Sequence, residues 1–407
     1  MFLSYSRSSK LPRLERIQPC IHQSPIPCFK RSQRCLFHSS TPFAQQKNHL
    51  EHRRDQDTNH LEMDPTIHIL GLGNLGKLFA HSLATKPKSP PITLLLHRPH
   101  LYHMAKAEGP KIKIYHDGVW HGNGHYDVEL TSQDGNKSYS DARVISNLIV
   151  TTKSHKMAEA LGMIKHRLSR MSTVLFIHNG MGVVEEVNKV VFPNVKDRPY
   201  YLFGIASHGV SQQTPFTAVL AGHGSVTIGN PEMDKEESPV KSYLLRQVID
   251  SKLLRASEVP WDEFRLLQLQ KLAVNAVINP LTALNNCLNG TIVESSMLGG
   301  MGNLLEGLVS EISQVICSLP ELEGVPGLEE RFSIESLWNI ILDVALATAQ
   351  NQSSMLQDVS NGRETEISYI NGYIVERGKE LGIECPVNRR MVMSILEAVS
   401  KQKLQAV

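Results

Sequence analysis

A glycine-rich turn between an apolar run and a helical pattern is the feature that most constrains the fold of this chain. The run Ile67–Leu70 leads into GLGNLG at residues 71–76, and apolar side chains then recur at helical intervals as far as Ala84. A second apolar run, ITLLL, occupies residues 92–96. The order strand, glycine-rich turn, helix, strand is typical of the first unit of a dinucleotide-binding sheet.

Each glycine of the turn has a separate task in such a unit. Gly71 permits the tight turn, Gly73 lets backbone amides approach a pyrophosphate, and Gly76 lets helix and strand pack closely. The positive end of the helix attracts the phosphate charge. A purely structural turn is the alternative interpretation, and the flanking elements favour the dinucleotide site.

The end of the second apolar run distinguishes two cofactors. A site for NAD usually has Asp or Glu there, whereas this chain has Arg98 between His97 and His100. A carboxylate would repel the 2′-phosphate of NADP, and a guanidinium can bind that phosphate with two hydrogen bonds. The sequence therefore predicts NADP, and a solvated surface arginine is the alternative.

Further apolar runs continue the alternation of a parallel sheet. Residues 144–153 and 173–182 are predicted strands on either side of a helical stretch, and they end in polar residues that include Lys153 and Asn179. Ligands bind at the carboxyl ends of such strands. Residues 101–143 show little periodicity and are predicted to include an elaborated loop, to which no function is assigned. Additional strands are predicted at residues 200–209 and 224–229.

A helical pattern with a polar stripe begins near Trp261. Lys271, Asn275 and Asn279 recur every four residues and so lie on one face, while the residues between them are apolar. An ordinary solvent-facing stripe would carry several charges. A single lysine with two short amides favours a buried helix that lines a cleft. Pro280 is predicted to end or kink this helix.

The first 63 residues differ in composition from the rest of the chain. Residues 1–50 hold eight basic side chains against one acidic side chain, Glu15, together with many serines. This composition is typical of a mitochondrial transit peptide, and RCLFHSS at residues 34–40 resembles a cleavage region for the matrix peptidase. A disordered basic tail on a cytoplasmic protein is the alternative.

The remainder of the chain excludes several classes of partner. Residues 64–407 carry 32 basic and 35 acidic side chains and give no electrostatic reason to expect nucleic acid. No apolar run reaches the roughly 20 residues of a membrane helix, and Cys287, Cys317 and Cys385 lack metal-ligand spacing. We therefore expect a small-molecule substrate, no membrane span and no metal. Whether the chain is a monomer or a homodimer stays open.

Four blocks of sequence resemble the 2-dehydropantoate 2-reductase (ketopantoate reductase) family. They are GLGNLG at 71–76, HNGMG at 178–182, KLAVNAVINPLTALNNCLNG at 271–290 and SSMLQDVSNGRETEISYINGYIVERGKELGIECPVN at 353–388. The last two are long and particular to that family. After the leader that composition predicts at residues 1–63, the resemblance implies an α/β Rossmann-like N-terminal domain at 64–260 and an all-α C-terminal domain at 261–407.

Carried over position by position, the family pattern implies roles for individual residues. Lys271 would be the proton donor, and the substrate would contact Asn275, Asn279, Asn289 and Ser354. Asn179 and Glu366 would lie near the nicotinamide half of NADPH, and Lys153 near its adenosine side. The full set implied for NADPH binding is Gly71, Leu72, Gly73, Asn74, Leu75, Gly76, Arg98, Lys153, Asn179, Val210 and Glu366.

The chain departs from the family pattern in two respects. Ser368 stands where the family commonly has Asp, which puts a secondary polar contact in doubt. The chain is also expanded at residues 86–91, 101–143 and 318–333, where access or assembly could be altered without a change in the motifs.

The function implied by the resemblance is NADPH-dependent reduction of 2-dehydropantoate to pantoate, a step toward pantothenate and coenzyme A. Charge builds on the keto oxygen as hydride reaches C2, so a lysine ammonium is a suitable acid. Burial would lower the pKa of Lys271 and pairing with Glu366 would raise it, a balance that the sequence leaves open. Reduction of another branched 2-keto acid and a non-catalytic NADP(H)-binding mitochondrial protein are the alternatives.

Overall fold

The structure is a computed structural model that describes residues 64–131, 143–231, 243–297 and 302–405. The predicted leader and its cleavage region lie outside the described residues, as do residues 132–142 of the predicted loop. None of the helices within the described ranges combines the length and the hydropathy that a bilayer span requires.

The strands of the described ranges form two sheets. In chain order they are β1 (Ile67–Leu70), β2 (Ile92–Leu96), β3 (Ile112–His116), β4 (Val119–Asn123), β5 (Asp127–Leu130), β6 (Asn147–Val150), β7 (Thr173–Ile177), β8 (Tyr200–Ala206), β9 (Gly209–Thr214), β10 (Thr217–Gly222), β11 (Val226–Gly229) and β12 (Ala256–Val259). The larger sheet has the order β5-β2-β1-β6-β7-β8-β11-β12, and the smaller one β4-β3-β10-β9. All neighbours from β5 to β8 are parallel.

Among the described residues, five α-helices lie between strands along the chain and the others follow the last strand. In chain order they are α1 (Asn74–Ala84), α2 (Pro99–Glu108), α3 (Met157–Ile164), α4 (Val183–Val190), α5 (Tyr243–Ile249), α6 (Trp261–Asn285), α7 (Gly290–Met297), α8 (Gly302–Cys317), α9 (Leu328–Arg331), α10 (Ile334–Ala347), α11 (Ser354–Ser360), α12 (Asn371–Leu381) and α13 (Pro386–Gln405).

The central strands are buried along their whole length because helices cover both faces of the sheet. Every residue of β1, β2, β6 and β7 is buried. On one face Phe79 and Leu83 of α1 pack against the strands, and on the other face Leu161 of α3 and Val187 of α4 do so. Strands enclosed in this way need continuous apolar runs, which explains the sequence of each strand.

The order of the strands fixes where a ligand would bind. β1 lies between β2 and β6, so the chain leaves β1 toward one side of the sheet and later returns on its other side. A crevice forms at the carboxyl ends of the strands at such a switch point. The turn at residues 71–76 and the residues after β6 and β7 all lie at this edge.

Residues 101–143, predicted to include an elaborated loop, also contain regular elements that the sequence did not reveal. These residues contain most of α2, the hairpin of β3 and β4, and β5, which joins the larger sheet. β3 also pairs with β10, which lies far later in the chain. The strands are short and β4 is largely exposed, so the apolar alternation that identifies a strand is missing.

The helices from α6 onward enclose a separate hydrophobic core. α6 begins at Trp261, as the sequence predicts, and buries Leu272, Ala276 and Val277 among its neighbours. Helices α8, α10, α11 and α13 pack around it. The expected fold, an α/β Rossmann-like N-terminal part followed by an all-helical C-terminal part, is therefore confirmed.

Of the two outcomes predicted at Pro280, an end or a kink of the helix, an end is excluded, because α6 continues to Asn285. A proline inside a helix leaves the carbonyl oxygen four residues earlier without its usual N–H donor. In this protein that oxygen, on Ala276, accepts a hydrogen bond of 2.8 Å from Asn371 Nδ2 of α12. A side chain from a neighbouring helix thus replaces the missing backbone donor.

Candidate functional site

The glycine-rich turn has the shape that its sequence predicts. Gly71 has a φ of +99°, and a Cβ there would lie 2.7 Å from the backbone nitrogen of Thr152. A Cβ at Gly76 would collide with the carbonyl oxygen of Gly71. Both positions therefore require glycine, one for its backbone conformation and one for the close approach of α1 to the turn.

The start of α1 fits a phosphate group. No atom lies within 4 Å of the place where a Cβ at Gly73 would be, so the space beside this residue is open. Gly73 caps α1 without a side-chain hydrogen bond, and the first turn of the helix has no acidic residue. The N–H groups and the positive end of the helix dipole are therefore available to an anion.

The remaining residues of the turn connect α1 to the smaller sheet. Asn74 Nδ2 donates to Val210 O on β9 at 2.8 Å, so two residues of the predicted cofactor set meet directly. Leu72 and Leu75 are half-buried and pack against the core of the larger sheet. Arg98 is exposed at the end of β2, and its Nε lies 3.3 Å from His97 Nε2.

Glu366 is the centre of a buried polar network at the ends of β6 and β7. Its Oε1 accepts hydrogen bonds from Ser154, at 3.0 Å from the backbone N and 2.9 Å from Oγ. Its Oε2 accepts from Asn179 Nδ2 at 3.0 Å and lies 3.7 Å from Lys153 Nζ. Burial raises the pKa of Glu366, but Lys153 and these donors outweigh it and hold the pKa below its usual value.

Lys153 lies between two buried carboxylates. Its Nζ is 2.7 Å from Asp358 Oδ2 and 3.7 Å from Glu366 Oε2. Burial lowers the pKa of Lys153, but the charges of Glu366 and Asp358 outweigh burial and raise it above its usual value. The structure thus brings three predicted residues, Lys153, Asn179 and Glu366, into contact. It also places Asp358, which was not predicted, beside Lys153.

Lys271 is half-buried on α6 and faces the end of β8. Its Nζ donates to Ala206 O, the last carbonyl of β8, at 2.8 Å. Burial lowers the pKa of Lys271 to about 8, and the charge of Glu366 partly opposes this shift. In the balance that the sequence left open, burial therefore outweighs the charge of Glu366. The amine remains mostly protonated near neutral pH but is a stronger acid than an ordinary lysine.

The predicted substrate residues lie on α6 and near the start of α11. Asn275 is half-buried and Asn279 is buried, on the same stripe as Lys271. Thr282 Oγ1, one turn beyond Asn279, donates to Ser353 Oγ at 2.7 Å. This bond joins α6 to the start of α11, where the next residue, Ser354, is exposed.

Asn289 has a buried acceptor in addition to its structural bond. Its Nδ2 donates to Thr348 Oγ1 at 2.9 Å. Within the described ranges, its Oδ1 is buried and has no hydrogen-bond partner. A buried acceptor of this kind costs free energy unless a donor such as a hydroxyl reaches it. Ser368, which departs from the family pattern, is exposed in the short helical turn Ile367–Tyr369.

Three residues of the site were not singled out from the sequence. Ser154 holds both the backbone and the side-chain bonds to Glu366, and Asp358 binds Lys153. His178 Nδ1 lies 3.1 Å from Asn179 O, and burial lowers the pKa of its imidazole. Ser154 and His178 adjoin predicted residues, but Asp358 and Lys153 are 205 residues apart and no local pattern connects them.

The described ranges contain no recognisable metal site. Among those residues, no group of three or more His, Cys, Asp or Glu is arranged to hold a metal ion. The groups that converge on the cleft are a lysine ammonium, a carboxylate network and amide side chains, which suit an organic anion better than a cation.

The fold and the cleft define a class of protein, the dinucleotide-binding α/β proteins with a helical second part. Family models described as Ketopantoate reductase PanE/ApbA and as its C-terminal part match residues 67–232 and 263–400. The chain belongs to the ketopantoate reductase family, a family of oxidoreductases.

Individual relatives agree with this assignment. A Schizosaccharomyces pombe protein named a probable 2-dehydropantoate 2-reductase is 30% identical, over 81% of this chain and 95% of its own length. A ketoisovalerate reductase of Gibberella fujikuroi is also 30% identical, over 79% of this chain and 80% of its own length. The ternary structure of D-mandelate dehydrogenase with NADH and anilino(oxo)acetate is similar in fold, with a TM-score of 0.64 and 22% identity over 83% of this chain and 99% of that one.

Proposed function

We propose that this protein reduces 2-dehydropantoate to pantoate with NADPH and that Lys271 is the proton donor. The observation that carries the proposal is the half-buried ammonium of Lys271, whose pKa is lowered to about 8, on a helix that faces the carboxyl edge of a Rossmann-type sheet. The 2-dehydropantoate reductases among the relatives support the choice of substrate.

The residues at the switch point fit NADPH. The open space at Gly73 and the uncapped start of α1 suit the pyrophosphate, and Arg98 at the end of β2 suits the 2′-phosphate. NADPH supplies a hydride when bound. We assign Leu72, Asn74 and Leu75 to the shape of this turn, and Val210 to its support through the bond from Asn74.

Lys271 stabilises and then protonates the keto oxygen of the substrate. A cation beside the developing negative charge lowers the free energy of the transition state, and a pKa of about 8 makes the proton transferable near neutral pH. Glu366 favours the charged form of Lys271, because its carboxylate raises the pKa of that amine. Asn179 and Ser154 hold Glu366 in place.

The amide side chains orient the substrate without adding charge. Asn275 and Asn279 continue the stripe of Lys271 along α6, and Ser354 stands at the start of α11. The unpartnered Oδ1 of Asn289 offers an acceptor to the terminal hydroxyl of ketopantoate. Together these groups would recognise a hydroxylated, anionic 2-keto acid.

A steady-state assay of the purified protein with NADPH and ketopantoate tests the proposal. We expect turnover by the natural sequence and a fall in kcat of about 100-fold or more for Lys271→Ala, since the acid is lost. The matched control is Lys189→Ala on the exposed side of α4, which should keep full activity. Ordinary turnover of Lys271→Ala refutes the assigned role. Absence of turnover with intact NADPH binding favours the non-catalytic alternative.

A second candidate function is reduction of ketoisovalerate, and it is favoured by the Gibberella fujikuroi relative. Ketoisovalerate lacks the terminal hydroxyl of ketopantoate. A site with a buried acceptor for that hydroxyl discriminates strongly against the analogue. A comparison of kcat/KM for the two acids distinguishes the candidates: a preference for ketopantoate of about 100-fold or more supports the first function, and equal values or a reversed preference support the second.

We also propose that residues 1–63 are a mitochondrial leader, that residues 64–260 bind the nucleotide and that residues 261–407 form the helical substrate part. The basic, serine-rich composition of the first 50 residues supports the leader. The passage from β12 to α6 near residue 260 supports the second boundary.

A further inference from the structure

Two buried carboxylates compete for one lysine at the edge of the cleft. Asp358 and Glu366 have side chains that are 6% and 5% exposed, and Lys153 lies between them. The distances are unequal, since Lys153 Nζ is 2.7 Å from Asp358 and 3.7 Å from Glu366. Lys153 therefore makes a direct ion pair with Asp358 and only a longer contact with Glu366.

We propose that Asp358 is a positioning residue that draws Lys153 away from Glu366 and thereby leaves the charge of Glu366 available to the ammonium of Lys271. The inference rests on the proposed function, because it concerns the state of the proposed acid. Within the part of the chain that the structure describes, Asp358 has no hydrogen bond to the glycine-rich turn or to α6. Its effect on protonation therefore acts through Lys153.

The surroundings of Asp358 fix its position independently of Lys153. It lies on α11, and its second oxygen, Oδ1, accepts from Arg363 Nε at 3.2 Å. The backbone N of Arg363 also donates to the carbonyl oxygen of Asp358 at 2.9 Å. A carboxylate held in this way at low exposure acts on a nearby ammonium with little screening by water.

Glu366 is likewise held without the help of Lys153. Ser154 and Asn179 donate to its two oxygens at 2.9 to 3.0 Å. A direct ion pair with Lys153 is therefore unnecessary for its position. Such a pair would instead offset the negative charge that stabilises the protonated form of Lys271.

Other charged and titratable groups surround this pair and must be controlled. Glu366 acts on Lys153, Lys271, His155 and His178, while Arg363 acts on Lys153. A matched control is present in the same segment. Glu364 is about half exposed and contacts His155 at 3.4 Å and Lys403 at 3.6 Å instead of Lys153.

The test compares the pH dependence of kcat/KM in the natural sequence, Asp358→Asn and Glu364→Gln. We expect Asp358→Asn to release Lys153 toward Glu366, so that Lys271 is deprotonated more easily. The fall of kcat/KM on the basic side of the profile, the basic limb, then shifts to lower pH by about 0.5 pH unit or more. Glu364→Gln shifts it by less than about 0.2 pH unit. Equal shifts in the two variants overturn the proposal, because they would show only a general loss of negative charge.

A double substitution shows whether the effect passes through Lys153. If it does, Asp358→Asn shifts the limb far less in a Lys153→Met background than in the natural one. An unchanged shift in that background overturns the proposal. The variant Asp358→Glu keeps the charge and should restore most of the natural profile.

A measurement that needs no turnover separates this inference from the proposed function. The pKa of Lys271 can be followed by NMR titration of isotope-labelled lysine side chains, with its signal identified by Lys271→Met. A lower pKa in Asp358→Asn than in Glu364→Gln supports the inference even if ketopantoate is not reduced. Turnover by the natural sequence with an unshifted Lys271 pKa in Asp358→Asn supports the proposed function and overturns the inference.

Discussion

Lys271 combines burial with a single hydrogen bond to a neutral acceptor, Ala206 O. Burial disfavours the charged amine and lowers its pKa to about 8, with Glu366 opposing the shift. If the protonated amine is the acid, activity is complete below this pKa and is lost as the pH rises through it. We therefore expect kcat/KM for ketopantoate to fall above about pH 8, measured with NADPH across pH 6 to 10.

Substitution of the neighbouring carboxylate tests the origin of this pH dependence. Glu366→Gln removes the charge that raises the pKa of Lys271, so the limb should move to lower pH. The variant Glu186→Gln on α4 removes a carboxylate that bonds Tyr369 instead, and its limb should stay in place. A profile that stays flat to pH 10 in the natural sequence would exclude Lys271 as the titrating acid.

The proposed preference for NADPH over NADH depends on Arg98. It is exposed at the end of β2, where a 2′-phosphate would be bound by its charge, whereas NADH offers no such group. We expect Arg98→Ala to raise KM for NADPH by about tenfold or more and to change KM for NADH by less than about threefold. Steady-state kinetics with each cofactor measure both values.

The control for Arg98 is an arginine at the opposite edge of the sheet. Arg170 is exposed in the turn before β7, and Arg170→Ala removes the same charge far from the carboxyl ends of the strands. It should leave both KM values unchanged. An equal loss for NADPH and NADH in Arg98→Ala would mean that Arg98 does not bind a 2′-phosphate.

At the scale of secondary structure, α6 lacks one backbone hydrogen bond, and a side chain from another helix replaces it. Pro280 cannot donate to Ala276 O, and Asn371 Nδ2 of α12 does so at 2.8 Å. The same Nδ2 lies 2.9 Å from Asn388 Oδ1, and Asn388 Nδ2 donates to Glu311 Oε2 at 2.8 Å. Three helices therefore depend on one buried amide, which keeps the polar stripe on a continuous helix.

We expect Asn371→Ala to lower the free energy of unfolding by about 2 to 3 kcal/mol, because buried acceptors lose their donor. In a Pro280→Ala background the residue at 280 regains an N–H that can reach Ala276 O. The cost of Asn371→Ala should then fall by about 1 kcal/mol. Urea unfolding of the four proteins in this cycle measures the coupling.

A control for this cycle lies on the same helix. Asn285 Nδ2 donates to Leu281 O at 2.8 Å near the exposed end of α6. Because water can replace that bond, Asn285→Ala should cost less than about 0.5 kcal/mol and should not couple to Pro280. Additive effects of Asn371→Ala and Pro280→Ala would show that Asn371 does not serve the interrupted bond.

The sequence predicts those elements whose identifying pattern lies within the element itself. The turn at residues 71–76 and the stripe of α6 were predicted because glycine spacing and helical periodicity lie within a few residues. The continuation of α6 beyond Pro280 depends on Asn371, 95 residues from its acceptor, and the smaller sheet depends on the distant pairing of β3 with β10. Asp358 on its short helix gives no sequence signal for a contact with Lys153.

At the scale of the whole molecule, the two parts supply different components of one site. The sheet provides the glycine-rich turn proposed for the pyrophosphate and the residues Lys153 and Asn179, and the helical part provides Lys271 and Glu366. Neither set alone holds both the nucleotide and the proposed acid. The bonds of Glu366 to Ser154 and Asn179 join the two parts across the cleft, and the charge of Glu366 also acts on Lys271.

The distribution of charge along the molecule gives the last prediction. Residues 1–63 hold 10 basic and 5 acidic side chains, whereas residues 64–407 hold 32 and 35, so the positive charge of the chain belongs to the segment before β1. A basic, serine-rich and acid-poor start is the composition of a mitochondrial transit peptide. We expect the tagged full chain in fractionated eukaryotic cells to accumulate in the matrix with a new N-terminus, identified by mass spectrometry, between residue 35 and the start of β1.

The matched control replaces the basic residues Arg7, Lys10, Arg13 and Arg16 with Gln, which should leave the protein uncleaved in the cytoplasm. An intact N-terminus and a cytoplasmic location for the natural chain would instead show that the segment is a basic tail without a targeting role.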